Sequence, residues 1–144
     1  MQNVACKYKK MPHTLLQIVD SNLCFVEESN NNILKIHKPF FQKFMDFKLV
    51  ANRVIIQEET NDQYKSNIYC LDTDFNLIWF SELPFESDKY PNAILWDSEL
   101  NTASDDWDNA YLPNSDFFTT SSSEGVTVSI NYITGKIEKS ILTK

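Results

Sequence analysis

About ten short runs in which apolar side chains alternate or cluster fill most of the chain, with Asn, Asp and Ser standing between nearly all of them. "TLLQIV" (14–19) is followed across Asp20, Ser21 and Asn22 by "LCFVEE" (23–28), and "NILKIH" (32–37) comes after a Ser-Asn turn. "FKLVA" (47–51) turns at Asn52 into "RVIIQEE" (53–59), and "NIYCLD" (67–72) turns through "TDF" into "NLIWFSEL" (76–83). "NAILWD" (92–97), "DFFTTS" (116–121), "GVTVSIN" (125–131) and "KIEKSIL" (136–142) complete the set. The hairpin spacing of these runs predicts an all-β fold, an antiparallel meander of about ten strands with little or no helix. Gly125 and Gly135 are the only glycines, so the turns rest on Asn, Asp and Ser, which tolerate left-handed backbone and bond their own main chain. One segment is ambiguous. "PFFQKFMDF" places Phe40, Phe44 and Phe47 at the spacing of a two-turn helix after Pro39. The continuity of "FKLVANRVII" favours Phe47 in a strand, with an irregular aromatic connection before it.

At 144 residues the chain is expected to be a single domain (1–144) able to bury a core without staples. Its polar, basic start (1–13) is expected to pack loosely, and it shows no apolar stretch of a leader peptide. No apolar run approaches the length that crosses a membrane. Cys6, Cys24 and Cys70 are an odd set without zinc-ligand spacing, and two of them lie inside strand runs as small hydrophobes. A reducing, cytoplasmic setting is the expectation.

A weak repeat runs through the strands. "NLCFVEESNNNILKI", "NIYCLDTDFNLIWF" and "VTVSINYITGKIEKS" each hold an alternating strand ending at Glu27, Asp72 or Asn131, then a tight turn, then a strand opening on Ile or Leu. "NIYCLDTDFNLIWF" resembles the outer hairpin of a quinoprotein-type β-propeller blade, and "INYITGKI" is similar to its Asp-x-x-x-Gly-Lys variant. Phe75 stands where that pattern has glycine, and Asn131 where it has aspartate. Three units fall short of the roughly four blades that a closed ring needs. The resemblance therefore implies an open propeller-like fragment or a rolled, twisted sheet.

Catalytic patterns are sparse. His13 and His37 are the only groups whose ordinary pKa suits acid–base work near neutrality, and both read better as non-catalytic. No nucleophile elbow, zinc helix, phosphate loop or dinucleotide fingerprint occurs, and the serines of "TTSSSEG" lack a base. Asp105 and Asp106 are too weak a signal for a glycosidase pair. "DDWDNAYLPNSD" has oxygen ligands but lacks the turn glycine and closing Glu of a calcium loop. No enzyme, cofactor or metal site is assigned.

Charge is more informative. Seven of the twenty acids lie between Tyr90 and Gly135, where no Lys or Arg occurs, leaving thirteen acids to face thirteen bases elsewhere. The whole net charge of −7 thus falls in one third of the chain. Such a field repels nucleic acid and anionic lipid and attracts cationic partners. Its centre, residues 98–115, reads as a loop inserted in the third repeat. Aromatics interleave with the acids there, as in an interface that meets a basic surface. Trp96, Asp97, Asp105, Asp106, Trp107, Asp108 and Tyr111 form the expected partner-binding set, with Tyr90 and Glu99 at its rim. In size, propeller-like hairpins and strand-rich ending ("FFTTSSSEGVTVSINYITGKIEKSILTK"), the chain resembles the small all-β immunity proteins that bacteria encode beside polymorphic or contact-dependent growth-inhibition toxins. That resemblance implies a basic cognate toxin, a nuclease, blocked sterically. The alternative is a non-catalytic sheet module that binds a small molecule or glycan through its aromatics.

Overall fold

A computed structural model describes residues 6–8, 11–50, 52–61, 66–86, 88–92, 94 and 117–142. Among them the chain forms eleven strands and no helix. The first antiparallel sheet holds β1 (Cys6–Tyr8), β2 (Met11–Val19), β3 (Asn22–Glu27) and β4 (Ile33–His37) in chain order. The middle sheet holds β5 (Lys43–Val50), β6 (Arg53–Glu59), β7 (Ile68–Asp72) and β8 (Leu77–Phe80). The third holds β9 (Phe117–Ser121), β10 (Val126–Asn131) and β11 (Ile137–Leu142). Within the first thirteen residues, Cys6–Tyr8 forms β1, an edge strand on β2. Within "NAILWD", Asn92 and Ile94 carry no strand pairing.

The sheets stack as three layers, and burial explains the strand sequences. One core lies between the first and middle sheets, where Leu16, Leu23 and Phe25 meet Phe44, Phe47, Val54, Ile56 and Tyr69. A second lies between the middle and third sheets, where Ile55, Ile68, Cys70 and Trp79 meet Phe118, Val128 and Ile130. The middle sheet is therefore covered on both faces, which is why "VIIQE" of β6 and "IYCL" of β7 are buried without alternation. The third sheet alternates instead. Phe118, Thr120, Val126, Val128 and Ile130 are buried, while Thr119, Ser121, Thr127 and Ser129 form a half-exposed outer face. Among the described residues neither core joins the first sheet to the third, so the stack is open.

The three repeat hairpins are β3–β4, β7–β8 and β10–β11, one at the outer edge of each sheet. Each closes its turn through a left-handed residue, one position sooner in β7–β8 than in the other two. Asn31, Phe75 and Gly135 take left-handed backbone (φ 59, 64 and 75°), and their N–H groups return to the carbonyls of Glu27, Asp72 and Asn131. The Asp72 Oδ1 accepts from the N–H groups of Asp74 and Asn76, and the Asn131 Oδ1 accepts from those of Ile133 and Thr134. An amide oxygen does here what the carboxylate does in the middle sheet, so the replacement leaves the turn intact.

The ambiguous aromatic segment is a strand with a bulge. The β5–β6 register slips between Phe44 and Asp46, so Met45 is the extra residue. In a regular strand residues three apart face opposite sides, and this slip turns Phe44 and Phe47 into the same core.

Candidate functional site

Residues 81–94 carry the chain from the middle sheet to the third, and side chains of the middle sheet hold them. Tyr90 donates its N–H to Asn67 Oδ1 (2.7 Å). Its carbonyl accepts from Asn67 Nδ2 (2.6 Å) and Gln57 Nε2 (3.1 Å). The phenol hydroxyl donates to the Glu82 carbonyl. Tyr90 is 0% exposed. Burial foremost, then the charges of Asp88 and Glu82, push its pKa far above the ordinary phenol range. The side chain expected at the rim of a docking face is a pillar of the second core. Its polar neighbours Asp88 and Lys89 conceal this in the sequence, because the groups that bury it come from β6 and the residues just before β7.

Asp88 is the second anchor. Its Oδ1 accepts from Ser123 Oγ (2.6 Å), the Lys89 N–H (2.8 Å) and the Glu124 N–H (3.3 Å), which fastens the connection to the β9–β10 turn. Burial acts to raise its pKa, but these hydrogen bonds outweigh burial and hold the carboxyl below its usual range. The third anchor is Asn92. Its carbonyl accepts from Thr120 Oγ1 (3.1 Å), and its Nδ2 donates to the Ser121 carbonyl (3.3 Å). Ile94 then packs into the core shared with Phe118. The chain thus enters the acidic segment from a point bonded to β9, and β9 is where it returns. Trp96, Asp97, Glu99, Asp105, Asp106, Trp107, Asp108 and Tyr111 lie outside the described residues.

Two recesses flank this connection. One, of about 270 Å³, lies among Gln42, Met45, Glu58, Glu59, Lys89 and Tyr90. The other, of about 450 Å³, runs between residues 82–85 and the third sheet and is lined by Glu82, Leu83, Pro84, Phe85, Val126 and Ile137. Phe85 is 51% exposed.

The two histidines differ. His13 is exposed on β2, whereas His37 is buried at the junction of the first and middle sheets. His37 Nε2 lies 2.7 Å from the Tyr69 hydroxyl, which donates to Glu58 Oε2. One hydroxyl carries one proton, so His37 is the Nε2–H tautomer and the donor of that pair. Glu58 is itself buried and accepts the N–H groups of Phe40 (2.8 Å) and Phe41 (2.9 Å) in the connection between the sheets. Burial lowers the His37 pKa to about 4. This chain of bonds ties two sheets together, and burial keeps the imidazole neutral. Cys24 and Cys70 are free and buried, and burial foremost raises the Cys70 thiol to about 11, which makes it unreactive. Among the described residues no group of three or more His, Cys, Asp or Glu is placed to hold a metal ion.

No family model and no curated protein sequence matches this chain. Solved structures do. It is similar to the computationally designed Ika8 protein, with a TM-score of 0.59 and 8% identity over 99% of this chain and 36% of that one. It is also similar to the β-propeller domain of Cps50 (Swd1) from Myceliophteria thermophila, with a TM-score of 0.60 and 8% identity over 95% of this chain and 42% of that one. The chain thus spans less than half the length of each. At that identity the likeness concerns fold alone, and it defines a propeller-like all-β architecture whose sheets correspond to blades. No helix among the described residues is long and apolar enough to cross a membrane.

Proposed function

We propose that the chain is a non-catalytic inhibitor, an immunity protein that binds a basic toxin domain in the cytoplasm and blocks it sterically. The observation that carries this reading is the gathering of the whole net charge of −7 between Tyr90 and Gly135, a stretch without Lys or Arg. Nucleases that bind phosphate present cationic surfaces, and a protein that covers such a surface needs this charge. The anchoring described above adds support. Asn92 and Ile94 on one side and β9 on the other attach the acidic segment to a sheet whose inner face is packed. A partner met there meets a rigid base, which keeps the ordering cost of association low.

Reversing Asp105, Asp106 and Asp108 to Lys is the direct test, read in cells expressing a basic toxin domain against which the parent protein protects. Folding should be preserved, with stability changed by less than about 1 kcal/mol, and protection should be abolished. Full protection by the triple variant would remove the assignment of that segment as the toxin-binding site.

A further inference from the structure

We propose that the groove between residues 82–85 and the third sheet docks a cationic segment of a protein partner, one with Lys or Arg beside an apolar anchor. The proposal deepens the inhibitor reading and rests on it for the partner's class. The groove's lining is mixed, with the apolar Leu83, Pro84, Val126 and Ile137 beside Glu82 and Ser140. Phe85 stands at its edge, half exposed, on a turn pinned by the Asp88 N–H to the Phe85 carbonyl (3.2 Å). A large aromatic held half in water gains from being covered.

The rim supplies the charge. Glu82, Glu86 and Glu124 are all exposed. The bond from the Glu124 N–H to Asp88 joins the β9–β10 turn to the connection that carries Phe85 and Glu86. Glu82 is part of the frame, since its Oε1 accepts the Ile137 N–H (2.8 Å). Lys89 turns its Nζ away to the Thr60 carbonyl (3.3 Å), while the exposed Lys136 and Lys139 stand before and after Ile137 in the chain, facing a larger set of acids. Of the described residues, none of opposite charge forms an ion pair with Glu86 or Glu124. A lining that mixes apolar and acidic side chains with an exposed aromatic complements a chain that alternates basic and apolar side chains, and it disfavours nucleic acid.

The test uses the whole protein, isotopically labelled, and a short synthetic peptide alternating lysine and leucine as the probe, with its glutamate–leucine counterpart as control. Backbone NMR resonances of residues 82–86, Val126 and Ile137 should shift saturably with the basic peptide and stay in place with the acidic one. Phe85→Ala should weaken binding about tenfold, as loss of an anchor does. Glu86→Lys combined with Glu124→Lys should weaken it as much without touching the lining. Equal binding of the two peptides, shifts centred elsewhere, or no effect of Phe85→Ala would overturn the groove. In cells, protection lost in the Asp105/Asp106/Asp108 variant but intact in Phe85→Ala rejects the groove and leaves the inhibitor reading standing. Groove binding in a protein that protects against no toxin does the reverse.

Discussion

Gly135 meets two demands at once. Its φ of 75° is a conformation that side chains resist, and a Cβ built there would lie 2.6 Å from Trp79 Cδ2. Trp79 needs that space because it lies over the turn, donates Nε1–H to the Tyr132 carbonyl (3.2 Å) and stacks on Phe118. Gly135→Ala should therefore cost about 2–4 kcal/mol, combining left-handed strain with overpacking, and a urea midpoint measures it. Phe75 occupies the equivalent turn position with a side chain and offsets its strain differently, stacking on Phe25 of the first sheet at 4.9 Å. His37 makes the second prediction at this scale. Its imidazole titrates near 6.5 in the unfolded chain and near 4 when folded. As pH falls the unfolded chain takes up the proton first, so stability is complete at neutrality, declines between those values and levels off below. The loss should reach about 3 kcal/mol at most. A His37→Gln variant compared with the parent at neutral pH and at pH near 4 isolates it, because the losses tied to Asp88 and other carboxylates, which begin within the usual carboxylate range, are common to both proteins.

Strands and connections carry the next set of decisions. The bulge at Met45 lets one strand present Phe44 and Phe47 to the same core. Deleting Met45 should remove the bulge and leave Phe44 and Phe47 two apart in a regular strand, still on one face of the sheet, at a cost of no more than about 1 kcal/mol. Denaturation and dye binding to exposed apolar surface would report it, and a large loss of stability with new dye binding would show that Met45 does more than correct the phase of the rings. The connections obey a common rule. Glu58 receives the backbone of Phe40 and Phe41, and Asn67 with Gln57 receives that of Tyr90, so the middle sheet grips the chain on its way in and on its way out. Asn67→Ala leaves the Tyr90 N–H buried without its acceptor, a loss of about 1–3 kcal/mol. Faster amide exchange at Tyr90 should accompany it.

For the molecule as a whole, three sheets form two cores, and the half-exposed Thr and Ser face of the third marks one end of the stack. If the acidic stretch steers a basic partner, association should slow as ionic strength rises while dissociation changes little. A rate indifferent to salt would favour binding by aromatic stacking instead. Much of this architecture is legible in the chain. Strand runs separated by Asn, Asp and Ser specify antiparallel hairpins, because turn chemistry and alternation are local properties. The three repeated hairpins mark one outer edge per sheet for the same reason. Tyr90 and Glu58 are the opposite case. A tyrosine among charged residues and a glutamate at a strand end look solvated until Asn67, Gln57, Tyr69 and the Phe40–Phe41 backbone close around them. The sequence by itself determined the strands, the turns and where charge accumulates, since each depends on residues near one another along the chain. Which polar groups are buried, and which recess lies beside Phe85, was decided by the stacking of the sheets, because hydrogen-bond partners and packing neighbours come from strands distant in the chain.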